Sequence, residues 1–221
     1  MNAYRALIVD FGGVLTTPLQ DAMARFSEEH GIELQDLVRV ALAAYTEEGD
    51  DLVVRFERGE MGDAEFALAF AQRLAQATGK EVDPERLVSR LFRGLQIEEA
   101  MVDAVRRARA AGVKTALLSN SWGLELYPRA VLEEVCDVVV ISGEVGLRKP
   151  DPAIFELTTG KLDLRPQECV FVDDHPGHLR AAQTVGMTTV LHRNPAETIA
   201  QLEELFQLEL MSSGRSGEPG P

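Results

Sequence analysis

Residues 6 to 16 read Ala6-Leu7-Ile8-Val9-Asp10-Phe11-Gly12-Gly13-Val14-Leu15-Thr16, an apolar run that stops at one carboxylate and gives way at once to two glycines. An apolar run bounded by turn residues reads as a buried parallel strand. Asp10 then stands at the carboxyl end of that strand, where open α/β sheets bind ligands in a crevice. A carboxylate in such a place can act as a nucleophile or hold a cation, and glycine lets a substrate approach the backbone closely. The competing reading is a carboxylate that merely caps a turn.

Three later segments bear on that choice. Val113 to Ser121 is again an apolar strand, and it ends in Ser119 and Asn120, which would emerge beside Asp10. Hydroxyl, amide and backbone N–H groups at a strand end suit phosphate oxygens. In Gly143 to Phe155, Pro150 and Pro152 bracket Asp151 directly after Arg148 and Lys149, and Pro152 is well placed to open a helix. Lys149 is thereby held, and a fixed ammonium can neutralise a phosphate or a nearby carboxylate. Arg148 reads as a solvated surface cation. In Cys169 to His178, Asp173 and Asp174 sit side by side at a strand terminus, where their repulsion is unfavourable unless a cation or hydrogen-bond donors compensate. Magnesium is the economical explanation, since that ion prefers one or two carboxylates together with waters.

Taken as a set, Asp-Phe-Gly-Gly-Val-Leu at 10–15, Ser-Asn-Ser-Trp at 119–122, Gly-Leu-Arg-Lys-Pro-Asp-Pro-Ala-Ile-Phe at 146–155 and Val-Asp-Asp-His-Pro-Gly-His at 172–178 resemble the four motifs of the haloacid dehalogenase superfamily of hydrolases. They look most like the branch that holds sugar-phosphate phosphatases and the amino-terminal phosphatase domain of soluble epoxide hydrolases. The resemblance implies a magnesium-dependent phosphatase that hydrolyses a small phosphorylated metabolite, a sugar phosphate for instance, through an aspartyl-phosphate on Asp10. It makes Asp10 the nucleophile, Ser119 the ligand of the phosphoryl oxygens and Lys149 their charge-neutralising partner. Asp173 would be the principal magnesium ligand, with Asp10, the carbonyl of Gly12, and Asp174 directly or through a bound water. Asn120, Gly12 and Gly13 would shape the phosphate pocket.

One position departs from the family pattern. Phosphatases of this superfamily usually carry a second aspartate two residues after the nucleophile as general acid and base, and here that position is Gly12. Such assistance is typically worth ~10²–10⁴-fold in rate. His175 and His178 are near enough in sequence to supply a proton, although His178 reads rather as a group that packs or hydrogen-bonds at a helix start. Two alternatives stay open: a metal-independent dehalogenase using Asp10 on a haloacid, and a phosphometabolite-binding protein with impaired turnover.

The predicted fold class is α/β, a Rossmann-like parallel sheet core over residues 1–17 and 96–211 with a small helical cap, 18–95, inserted after the first strand. Within 18–95 the apolar residues fall at helical spacing, as in Ala22 and Phe26, Leu34, Leu37, Val38 and Leu42, Phe66, Phe70 and Leu74, and Leu87 and Leu91. Gly31, Gly49, Gly59, Gly79 and Gly94 punctuate it, and Asp83-Pro84 marks a further helix start. A cap of this kind closes over the crevice and contacts the leaving group. The stretch Arg55 to Met61 suits a loop near the entrance, with Arg55 and Arg58 as candidates to touch substrate. Beyond the cap, helices are expected over Glu98 to Ala111, Leu124 to Val135, Ile154 to Lys161, His178 to Val185 and Ile199 to Leu210. They alternate with strands at Val138 to Ile141 and Thr188 to Leu191, an order that favours right-handed crossovers.

At 221 residues the chain can bury a substantial core, and its net charge of −14 argues against nucleic acid as a partner. Cys136 and Cys169 read as buried thiols in a reducing compartment. No apolar run approaches the ~18 residues of a membrane span, and the amino terminus lacks a signal-peptide pattern, so the cytoplasm is the expected location. Trp122 either lines the crevice or covers the core. The tail 212–221 reads as mobile, and the oligomeric state is not legible.

Overall fold

The computed structural model describes residues 4–46 and 51–211. Gly49 and the tail 212–221 lie outside the described residues.

Five strands form one parallel sheet in the order β3-β2-β1-β4-β5. They are β1 (Ala6–Val9), β2 (Lys114–Ser119), β3 (Val138–Ile141), β4 (Cys169–Asp173) and β5 (Thr188–Leu191). β1 is central and fully covered on both faces. Leu7 and Val9 join a cluster with Val102 and Val105 on one side, while Ala6 and Ile8 join Ile154, Phe155 and Leu179 on the other. A strand buried on both faces has no polar alternation, which is why 6–9 is continuously apolar. Val9 pairs with Leu117 of β2 and Val172 of β4, so the chain leaves the sheet at the same edge at Asp10, Ser119 and Asp173.

Between β1 and the return to the sheet lie α1 (Leu19–His30), α2 (Leu34–Thr46), α3 (Leu52–Glu57), α4 (Asp63–Thr78) and α5 (Leu87–Leu91). Their apolar faces meet in a cluster of their own that includes Phe26, Leu37, Phe56, Phe66, Phe70, Leu74 and Leu87. The rings of Phe56, Phe66 and Phe70 stack in series, with centroids 4.0 and 5.4 Å apart. Where the chain enters and leaves this helical segment, Thr16 and Ile97 form an isolated antiparallel bridge.

The remaining helices are α6 (Glu99–Ala110), α7 (Arg129–Val135), α8 (Ser142–Val145), α9 (Pro152–Lys161), α10 (Pro176–Thr184) and α11 (Pro195–Phe206). Three differ from the sequence expectation. Leu124–Leu126 is a short 3-10 turn, and α7 begins only after Pro128, whose ring cannot continue a helix. α8 is additional. α11 starts four residues earlier than expected because Asn194 caps it, accepting the Glu197 N–H at 2.9 Å, and Pro195 occupies its first position. It stops at Gln207, in the left-handed region at φ 54°.

Candidate active site

The edge where the three strands end carries a cluster of charge. Lys149, 1% exposed, lies on the loop between α8 and α9 with its Nζ 3.0 Å from Asp10 Oδ1 and 2.6 Å from Asp173 Oδ2. Asp151 caps α9 by accepting the Ala153 N–H at 3.0 Å, with Pro152 in the first turn, as the flanking prolines predict. Phe11 N–H also donates to Asp10 Oδ1, at 2.7 Å. Asp173 Oδ1 accepts the His175 N–H at 2.7 Å, and His178 Nδ1 lies 3.1 Å from both Asp173 oxygens. His178 thus takes up the hydrogen-bonding position at a helix start that its sequence context suggests, and its ring packs tilted by 43° against that of His175, with centroids 4.4 Å apart. Asp10, Asp173 and His178 offer ligand atoms that all lie within 4.8 Å of one another.

Burial and charge act in opposition here. Burial pushes the Asp10 carboxyl up to about 6 although Lys149 pulls it down. Burial, together with the neighbouring Asp173 charge, pushes Asp174 up to about 6. Burial alone would raise Asp173 too, but Lys149 and His178 hold it well below the usual carboxylate range. Those same two carboxylates keep the desolvated Lys149 above its ordinary value. Burial lowers His178.

Both glycines after the nucleophile candidate are tightly covered. Gly13 has φ +73°, and a Cβ there would lie 2.5 Å from Asp174 Oδ2, so the Asp174 carboxylate sits directly on the glycine backbone. A Cβ on Gly12 would meet the methyl groups of Leu19 at 3.1 and 3.2 Å. The room that a longer residue at Gly12 would take is therefore filled by hydrocarbon from α1.

Ser119 Oγ is 2.9 Å from the hydroxyl of Tyr127, whose ring packs on Phe11 at 4.8 Å. Asn120 emerges beside them, but its amide is turned to the chain. Its Oδ1 accepts the Lys149 N–H at 2.8 Å, and its Nδ2 donates to the Lys149 carbonyl at 3.0 Å and to Glu57 Oε2 at 3.2 Å. Glu57 comes from α3 and also accepts from Arg148 Nε at 2.5 Å. Arg148 is thus no solvated cation: its side chain is 16% exposed and paired across the cleft, because a buried carboxylate of the helical segment reaches it. Arg55 and Arg58 instead pair at the surface with Glu65 and Glu60 and are not among the cavity-lining residues.

These groups lie at one end of a cavity of about 550 Å³ between the sheet edge and the helical segment. Asp10, Gly12, Ser119, Asn120, Arg148, Asp174, His175 and His178 supply its polar end, while Leu19, Met23, Phe70, Leu91, Phe92 and Trp122 line the rest. Trp122 both lines the crevice and packs on the helical segment, 5.4 Å from Phe92 and 6.1 Å from Phe66. Sequence reasoning did not single out Tyr127 or Glu57. A tyrosine eight residues beyond Ser119 and a glutamate within a charged run carry no local signal of a buried role.

The family model for haloacid dehalogenase-like hydrolases matches residues 4–186. The chain belongs to this family. As a haloacid dehalogenase-like hydrolase it is similar to acyl-CoA dehydrogenase family member 10 of Mus musculus, 30% identical over 215 residues, which cover 95% of this chain and 20% of that protein. It is likewise similar to bifunctional epoxide hydrolase 2 of Sus scrofa, 27% identical over 227 residues, covering 96% of this chain and 40% of the other. The hydrolase thus spans well under half the length of these two curated relatives. Among solved structures it shares its fold with a HAD family enzyme of Bacteroides thetaiotaomicron in complex with magnesium and inorganic phosphate. The TM-score is 0.64 and the identity 22%, over 86% of this chain and 94% of that one.

Proposed function

We propose that the cavity is the active site of a magnesium-dependent phosphatase whose substrate is a phosphate monoester with a largely apolar alcohol part. The observation that carries this reading is the buried ammonium of Lys149, 2.6 Å from Asp173 and 3.0 Å from Asp10, the carboxylate that lines the polar end of the cavity. Asp10 is the nucleophile. Its Oδ1 is engaged by Lys149 and the Phe11 N–H, which leaves Oδ2 to attack phosphorus. As the new P–O bond forms, the bond to the alcohol oxygen breaks, giving an aspartyl-phosphate and an oxyanion that takes its proton from water to become the alcohol. Water then attacks phosphorus, the bond to Asp10 breaks, and inorganic phosphate is released. Lys149 and the Ser119 hydroxyl offset charge on the phosphoryl oxygens in both steps.

The residues present fit a magnesium ion. Asp10, Asp173 and Asp174 outnumber the one ammonium among them, and two of these carboxyls are held near 6 by burial, so the arrangement lacks positive charge even before an anionic substrate enters. Hard carboxylate oxygens at a sheet edge are the donors that this ion takes. Asp10, Asp173 and the Gly12 carbonyl would hold it, with Asp174 as a further ligand or as acceptor for a bound water. When bound, the ion neutralises the carboxylates and polarises a phosphoryl oxygen. The structural relative that carries magnesium with inorganic phosphate supports the same reading.

The helices between 18 and 95 act as the cap over this site, with the sheet core formed by 1–17 and 96–211. The hydrocarbon lining of the cavity favours an apolar alcohol over a sugar. A sugar would leave hydroxyls facing Leu19, Met23, Phe70 and Phe92, and each unpaired polar group costs about 1–3 kcal/mol. With Leu19 filling the space beside Gly12, no carboxyl there protonates the leaving oxygen, so turnover should depend steeply on how basic that oxygen is.

An aryl phosphate tests the reading. Phosphate release that disappears with a chelator and with Asp10→Asn is the expected result. Halide release from a haloacid that ignores the chelator would establish the dehalogenase alternative, and tight phosphate binding without turnover would establish the binding protein.

A further inference from the structure

Glu57, the last residue of α3, is 1% exposed and lies across the cleft from the sheet. Its carboxylate reaches two neighbours of the reacting centre at once. Oε2 accepts from Arg148 Nε at 2.5 Å and from Asn120 Nδ2 at 3.2 Å. Its main-chain oxygen accepts the Ser142 hydroxyl at 2.5 Å, and that hydroxyl accepts the Ser121 N–H at 2.8 Å. Asn120 in turn clamps both the N–H and the carbonyl of Lys149, at 2.8 and 3.0 Å, while Arg148 is the chain neighbour of that lysine. One carboxylate from the helical segment therefore braces the Lys149 backbone from two sides.

The chemistry gives this contact a direction. A carboxylate so shielded is tolerable only when paired, and Arg148 and Asn120, which pair with it, are on the other side of the cavity. Were the helical segment to lift, Glu57 would leave with it, and Asn120 and Arg148 would lose the brace that fixes them against Lys149. We propose that Glu57 is a positioning residue that ties seating of the helical segment over the cavity to alignment of Lys149. The alignment half rests on the phosphatase reading given above, whereas the seating half stands on the cross-cleft contacts alone.

The chain contains one tryptophan, Trp122, partly buried on the loop after β2 and packed against Phe66 and Phe92 of the helical segment. Its fluorescence reports the seating without a label. Glu57→Gln, Arg148→Met and the double variant are compared with the natural protein, and Glu60→Gln, at an exposed surface pair, serves as control. Glu57→Gln should shift Trp122 emission to longer wavelength and raise acrylamide quenching at least twofold, while the far-ultraviolet circular dichroism stays unchanged. On an aryl phosphate it should lower kcat about tenfold, with a smaller change in KM. The double variant should be no worse than the poorer single one, because both substitutions break one contact. Arg148→Lys should recover part of what Arg148→Met loses.

Natural emission and quenching in a folded Glu57→Gln overturn the seating half, whatever the activity. A shifted Trp122 with unchanged kcat overturns the link to Lys149. Should Glu57→Gln fail to fold, Arg148→Met breaks the same contact from the core side and decides by the same readouts. An unaltered natural protein that hydrolyses no phosphate ester refutes the phosphatase reading and with it the alignment half, and the fluorescence still judges the seating.

Discussion

Gly12 stands two residues beyond Asp10, and the methyl groups of Leu19 fill the space beside it. Gly12→Asp would push a carboxyl against that side chain, whose flexible end has to give by a few tenths of an ångström. Combined with Leu19→Ala, the substitution should raise turnover of alkyl phosphates, whose leaving oxygens need a proton, by about tenfold or more, and change aryl phosphate turnover far less. Steady-state kinetics over a series of leaving groups checks this, and equal effects across the series would refute it. The carboxyls of Asp10 and Asp174 carry a second expectation at this scale. Both stand at about 6 in the metal-free fold, above the 3.8 of an unfolded aspartate. The folded state therefore binds protons more tightly than the unfolded one between those values, and stability due to these two groups is lost as pH rises through that window. Magnesium, bound as proposed, would compete with the same protons. The rise in Tm that it produces should grow from about pH 5 to about pH 7.5, as read by differential scanning fluorimetry. A rise that shrinks over that range would show that the ion binds elsewhere.

Within the segment between β1 and α6, one aromatic series joins α3 to α4 through Phe56, Phe66 and Phe70, with Phe66 at its centre and 1% exposed. Phe66→Ala should cost ~3–5 kcal/mol on the scale of buried aromatic truncations, measured by urea denaturation. It should also alter Trp122 fluorescence, since the indole edge meets that ring. Elements of this kind were legible because burial leaves a period in the sequence: β1, β3 and β5 occupy the runs that their apolar residues mark, and the spacing of Phe66, Phe70 and Leu74 places α4. Boundaries governed by a single residue were less so. The leucines of 199–210 continue the apolar period past the true end of α11, while the stop at Gln207 is set by a backbone angle that glutamine does not advertise. That the strand-end carboxylates and Lys149 come together was legible because each follows an apolar strand or a fixed turn. Glu57 was not, since a glutamate between two arginines looks the same whether its partner is water or a residue 91 positions away.

The molecule as a whole carries a net charge of −14, and its self-repulsion opposes compaction. Between about 0.01 M and 0.15 M salt the screening length falls from roughly 30 to 8 Å, so Tm should climb over that range even with an indifferent salt such as sodium chloride. A flat or falling Tm would mean that local ion pairs, not the overall charge, set the response. None of the described helices is long and apolar enough to cross a membrane. The sheet side and the helical segment also approach closely at Gly59, where a Cβ would lie 2.2 Å from the carbonyl oxygen of Gly143. The close approach there depends on the lack of one methyl group. Alanine at Gly59 would act as a shim, propping the mouth of the cavity ajar.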